Sequence, residues 1–543
     1  MAEAQRQSER HDSDDEIPVE PDVVEDANRP SDWGSLVADL SRSQAREPAW
    51  RIHDRTHLEF ALDYPLSKGS PSSKGSPLGK GGAGFEWEAF FFVPESLRLE
   101  ESTYDKQDIY TDLVSYMRFA VPDVSFGELT GEPLARLRET LAGTLGGSET
   151  RAAIREMRLY ACEVRAAGVA ARRAIATMLG DEGARSRAFA AAARFTTDAR
   201  RVLEGLRDAL VVVPSSDDML ATARDWVDED VSRLIETMLA TLAEKLREVG
   251  APRALITSVV DGAVAEARYR DAKGLDGVGR RGASKDAIEH LEFRRHVLKR
   301  FTSSVLWLKP EVRDAARWTL HILYALSAGV AMAFALAAAI LNGNDVDRER
   351  LWMWAMLVIA AYMLKDRIKA SLQSFFSRFV SRHFPDRRWR LFDRERDDLC
   401  LGQIDEQSGF VPFKKVPEPV LAMRRKTRRH PLEEQARPEK VLWHRKALAL
   451  DPKKVAEADP RFDALTEIFR LDIRRWLAHT DDPKRKIVFA DPTDGTIGSA
   501  IAPRVYNIGV VYRLRQKMDT QAPWHRVRVV VTRKGIRRID RIC

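Results

Sequence analysis

Cysteine is scarce in this 543-residue chain, with only Cys162, Cys400 and Cys543. They lie far apart and form no CxxC pair, which argues against a zinc knuckle and a disulfide framework and fits reduced thiols. Cys543 is the last residue printed, whereas a prenylation box needs its cysteine fourth from the end. The opening MAEAQRQSERHDSDDEIPVE has no basic patch followed by an apolar run, so no secretory signal is expected. The 11 histidines contain no HExxH and no other ligand spacing. No phosphate loop is complete either: GSPLGKG at 75–81 is one residue short and has Gly81 where Ser or Thr belongs. No metal, cofactor or catalytic residue is therefore expected.

What is present is charge, unevenly spread. The net charge is +7, yet Asp12, Asp14, Asp15, Glu16 and Glu20 cluster in an acidic segment, 1–50, whose composition predicts a disordered tail. The region after Lys365 is rich in arginine, which points to a polyanion nearby, a lipid surface or nucleic acid. The densest cluster is Arg424, Arg425, Lys426, Arg428 and Arg429. It has no interleaved aromatic to stack bases, so anionic lipid headgroups are the expected contact and nucleic acid is not.

The runs 56–64 and 85–93 are predicted strands. The low-complexity insert 66–84 between them suggests a β-hairpin with a lengthened turn, in an N-terminal unit 51–127 that also holds a helix. Ile109, Leu113 and Tyr116 carry the helical spacing. From 128 to 309 the apolar period is three and four, predicting a cytoplasmic antiparallel helical bundle with coiled-coil-like packing. Its first two long helices join near Gly180–Gly183, Pro252 restarts a helix, and Ser284 or Asp286 caps the next. From 386 to 543 the period falls to two in RVYNIGVVYRLRQ and HRVRVVVTRKGIRRIDRI. With one helix expected in RFDALTEIFRLDIRRWLAH, this is an α+β domain with an antiparallel sheet. The stretch 93–119, with these C-terminal strands, resembles a family of uncharacterised bacterial membrane-anchored proteins; the resemblance implies anchoring and carries no activity.

Between bundle and sheet lie two apolar runs that predict a transmembrane helical hairpin, 310–364. The first, 318–341, has no charge and at about 1.5 Å per residue exceeds the hydrocarbon thickness. The second, 351–364, is short, but Arg350 and Lys365 can snorkel and Trp352, Trp354 and Tyr362 suit the interfaces. Pro310 is expected in the first turn of the helix leading in. Ala325, Gly329, Ala333 and Ala337, four apart, form a small-residue ridge for membrane helix packing. Lys299, Arg300, Lys309, Arg313 and Arg317 precede the hairpin; Lys365, Arg367, Lys369, Arg378 and Arg382 follow it. The positive-inside rule then puts both flanks, and so both termini, in the cytoplasm of a multi-pass bacterial inner-membrane protein. Residues 365–385 continue as an amphipathic helix, with Ile368, Leu372, Phe375, Phe376 and Phe379 on one face.

One catalytic motif needs weighing. IVFADPTDGTIG resembles the hhhhDxDGT loop of haloacid-dehalogenase-like phosphatases, but Asp491 and Asp494 stand one residue too far apart, and turn formers between strands explain the segment better. The expected fold is thus a mixed α and α+β membrane protein. Its expected role is a scaffold, sensor or regulator that binds other membrane proteins or its own copies. A membrane-anchored phosphohydrolase using Asp491 and Asp494, and an oligomeric transport or pore component, are the alternatives.

Overall fold

The computed structural model describes residues 49–66, 83–143, 149–214, 216–275, 284–313, 317–342, 351–396, 398–425, 438–481, 484–493, 495–516 and 521–542. The acidic tail to 48 and most of the low-complexity insert lie outside them.

The fold mixes a helical central region with antiparallel sheets. Strands β1 (Ala49–Ile52), β2 (His57–Pro65) and β3 (Ala83–Pro94) come first. Helix α1 (Lys106–Asp112) and β4 (Leu113–Phe119) follow. The expected hairpin of the first two long strands does not form. β2 pairs with β1 and β9, whereas β3 pairs with β8 and β12 in a different sheet. Both strands are buried along most of their length, so each needs a neighbour on either side. The helical spacing within 93–119 also covers too much. Asp105 caps α1 in a capping box with Asp108, and the chain turns to strand at Leu113.

The helical region holds α2 (Glu132–Gly143), α3 (Thr150–Gly180), α4 (Arg185–Leu210), α5 (Asp218–Glu248), α6 (Arg253–Ala272) and α7 (Lys285–Ser303), around a core of its own. Of the two caps offered for α7, Ser284 is the one used, and Asp217 caps α5. Asp217 accepts from the Met219 and Leu220 amides, and Ser284 from that of Ala287. Gly168 lets α3 approach α5, because a Cβ there would lie 2.7 Å from the Met238 sulfur.

After the bundle the chain forms β5 (Lys309–Arg313), α8 (Arg317–Asn342), α9 (Leu351–His383) and β6 (Arg387–Phe392). Pro310 is thus in a strand, not a helix; β5 is a sheet edge, where a missing amide is tolerated. β7 (Cys400–Phe410), α10 (Glu418–Arg425), β8 (Glu439–Leu450), α11 (Pro452–Ala458), β9 (Ala464–Asp472) and α12 (Arg474–Leu477) come next. The last strands are β10 (Lys484–Ala490), β11 (Ile497–Pro503), β12 (Tyr506–Gln516), β13 (His525–Thr532) and β14 (Gly535–Ile542). The helix expected across 461–479 is instead β9 and the four-residue α12. Nearly all of β9 is buried, so both its faces are apolar or paired and the period-two signal is lost.

An eight-stranded sheet runs β14-β13-β12-β3-β8-β7-β6-β5 and a four-stranded sheet β1-β2-β9-β4. They share one core, where Phe60 and Phe469 stack at 4.7 Å and Trp87 packs within 4.9 Å of both. The C-terminal part is therefore no separate domain. It folds together with residues 49–119, and the bundle and the α8–α9 pair are insertions.

Helices α8 and α9 pack along each other. The eight-residue connection cannot reach back along a 26-residue helix, so they run antiparallel. Among the described residues one segment, Trp318–Ala338, is long and apolar enough to cross a membrane. The run 351–364 does not qualify, because α9 carries Lys365, Asp366, Arg367 and Lys369 directly after it. The seam also differs from the expected ridge. Ser327 and Ala331 are buried, with Ala335 half-buried, while Ala325, Gly329, Ala333 and Ala337 are exposed. Both ridges consist of small residues four apart, and composition alone does not choose between them.

Candidate functional site

Strand alternation sends Leu442, His444, Lys446 and Leu448 of β8 to the same face, toward the four-stranded sheet. The sequence thus drives two polar side chains into the core. Lys446 faces Glu406, its direct neighbour on β7, and Glu467 of β9 in the opposite sheet. Its ammonium is 2.9 Å from Glu406 Oε1, bonds Glu467, and donates to Ser115 Oγ at 2.9 Å. Tyr64 donates to Glu467 at 2.6 Å, Ser115 bonds it too, and Trp389 Nε1 donates to Glu406 at 2.7 Å.

Burial alone would drive these charges to neutrality. Desolvation pulls the Lys446 pKa down, but Glu406 and Glu467 outweigh it and the net direction is up. Desolvation pushes Glu406 up, and Lys446 reverses this and leaves it lowered. Tyr64 is raised by burial and by Glu467, so its hydroxyl stays a donor.

One layer away, Ser408 Oγ and His444 Nδ1 are 2.6 Å apart. Burial lowers the His444 pKa to about 4, which keeps the ring neutral. Its Nε2 has no hydrogen-bond partner among the described residues and lies among the rings of Trp87, Tyr110 and Phe469. The carboxylate that a Ser–His–Asp relay needs is elsewhere. Asp386 accepts from the Ser408 amide at 2.9 Å, Tyr110 at 3.0 Å and Lys106 at 2.6 Å. Lys446, held charged by two carboxylates, is no base for Ser115. The residue types are those of hydrolases, but the geometry is that of a cross-link between sheets. Asp386 also stands three residues after α9, so the network reaches the foot of the apolar helix pair.

A second polar cluster joins the bundle to the sheets. Arg155 meets Asp459 at 2.7 Å and Glu395 at 3.2 Å, and Arg461 meets Glu156 at 2.8 Å. Glu163 lies behind them, 3.3 Å from Arg136 and 4.0 Å from Arg461. Burial outweighs both arginines and raises its pKa to about 7. Cys162 beside it is fully buried, and its thiol is pushed up to about 12, which makes it inert.

The residues singled out from sequence are scattered. Asp491 closes the β10–β11 turn, accepting from the Thr493 amide at 2.9 Å while its own amide donates to Thr496 at 2.8 Å. Asp494 lies outside the described residues. Arg424 is buried, bonded to Glu439 and 5.5 Å from the Phe92 ring, and so is withdrawn from any lipid surface. Arg425 is half-exposed beside Glu418; Lys426, Arg428 and Arg429 lie outside the described residues. Sequence reading missed the Lys446 network. Its signal was there: His444 and Lys446 occupy alternate inward positions of a strand otherwise lined with leucine.

Comparison with known proteins finds no matching family model, no similar curated protein and no similar solved structure. The resemblance seen in 93–119 gains no support from it.

Proposed function

We propose that the chain is a membrane-anchored scaffold or sensor, with the α8–α9 pair inserted in a bilayer and the bundle and sheets together on its cytoplasmic side. The observation that carries this is exposure. Only 11% of the Trp318–Ala338 window is buried, and Trp318, Met332, Met356 and Met363 are each more than half exposed. So large an apolar surface in water marks an interface, and lipid is the partner that covers it on all sides.

The pairing of β5 with β6 supports a return to the same side. Arg313 opposes Arg388, so the strands entering and leaving the helix pair belong to one sheet. A return to the same side suits that register better than a single crossing. The pair either crosses twice or dips in and returns, and the basic flanks favour the cytoplasm. Asp386 gives the reading its sensor aspect, since it ties the foot of α9 to Lys106, Tyr110 and the Ser408 amide. A shift of α9 would be felt first there.

The test is membrane fractionation of the full chain with topology reporters. The protein should stay with the membrane after an alkaline wash. Reporters placed after Arg300 and after Arg390 should both read cytoplasm, and one at Asn344 the opposite side for a full crossing. Release by the wash would overturn the anchor; an Asn344 reporter reading cytoplasm would leave only a re-entrant dip.

A further inference from the structure

The two-stranded β10–β11 hairpin stands apart from both large sheets. Every residue of β10 is exposed, and so is most of β11. An isolated two-stranded hairpin is at best marginal in water. This one is apolar on both faces beyond its base. Ile487 and Phe489 lie on one face, and Val488 and Ile501 on the other. The Phe489 ring covers Gly498 across the ladder, where a Cβ would come within 3.0 Å of it. The base carries Lys484, Arg485 and Lys486, and the turn begins with Asp491.

Lipid is a poor occupant for this arm. Among the described residues its outer edges pair with no other strand, which leaves backbone donors and acceptors that hydrocarbon cannot satisfy. A strand can satisfy them. The Asp491 amide donates inward to Thr496. With the period of two in an antiparallel ladder, Lys486, Val488 and Ala490 then direct their amides and carbonyls outward.

We propose that β10 pairs antiparallel with β10 of a second copy, about a twofold axis at Val488, making a four-stranded sheet across the dimer. A twofold normal to the sheet requires that a residue oppose itself, and the charge pattern selects which one. Centring on Val488 sets Ile487 against the partner's Phe489 and Arg485 against the partner's Asp491, each pair occurring twice. Centring on Ile487 sets Arg485 against Phe489 and forms no ion pair. Opposite charges and aromatic–aliphatic pairs directly across a ladder are the contacts that stabilise sheets. The dimer does not rest on membrane insertion, and its test reads mass, not location.

The experiment is mass measurement of the full chain in detergent micelles, using R485E and D491R. The wild type should be a dimer. Each variant alone should dissociate about tenfold or more easily, because like charges then face each other at both ends of the ladder. Mixing the two variants should restore a heterodimer within about threefold of wild-type affinity, since one charge pair is rebuilt with reversed sign and the other is the native Arg485–Asp491 pair. Recovery on mixing also excludes misfolding as the reason for the single-variant loss. A monomeric wild type, dimers indifferent to either change, or no recovery on mixing would each overturn the β10 pairing.

Discussion

At the scale of single residues, the molecule spends its buried charges on joining parts. Lys446 lies between two carboxylates from two sheets, and taking away one member would leave an uncompensated charge in the core. Glu163 is the opposite case. Arg136 and Arg461 stand at the edge of contact, Glu156 and Asp459 repel it, and burial prevails. A carboxyl whose pKa rises from 4.5 to about 7 on folding binds its proton more tightly in the folded state. Its contribution is therefore fully present below 4.5 and is lost as pH rises through 7. Glu163→Gln, which is neutral at every pH, should be near-neutral for stability at about pH 5 and stabilising by about 1–3 kcal/mol at about pH 8. Urea unfolding at the two pH values measures this. A variant less stable at the higher pH would mean that the arginines, not burial, control the site.

At the scale of elements, legibility followed burial. β12 and β13 were readable because a period of two survives in each, and β14 because the turn at Lys534–Gly535 marks the last hairpin. β9 was not readable: Leu465, Ile468 and Phe469 fall at helical spacing by accident, in a strand covered on both faces. The apolar helices were readable as helices, but the small-residue face was not, because α8 offers two ridges and only the partner decides. The seam found here gives a direct test. Ala331→Leu should cost about 1–3 kcal/mol by overpacking against α9. Ala333→Leu, on the exposed ridge, should stay within about 0.5 kcal/mol of wild type. Thermal unfolding in detergent micelles distinguishes them, and equal losses would mean that the outward ridge is also packed.

At the scale of the whole molecule, the pairing is between distant parts of the chain. Tyr64 bonds Glu467, 403 residues away, and Glu59 bonds Arg470, 411 away. No local pattern encodes such pairings, which is why a reading by segments divided one sheet body into an N-terminal and a C-terminal unit. The same topology makes the parts unequal in independence. An isolated 386–543 fragment takes β9 away from both of its partners, β2 and β4, and β8 from β3, so it should not fold. The helix pair is different. It leaves from Arg313 and returns to Arg388, which face each other in the ladder, so its removal opens no gap. Replacing 314–385 by a turn of about two to four residues keeps Asp386 with its three partners and closes β5 to β6 as an ordinary hairpin. That shortened chain should remain in aqueous solution without detergent and unfold cooperatively, while the full chain needs detergent. Circular dichroism and thermal melting follow the fold, and sedimentation follows the solubility. A shortened chain that is soluble but lacks cooperative unfolding would mean that α8 and α9 hold the sheets together. A shortened chain that still pellets with membranes would move the anchor to another surface of the protein.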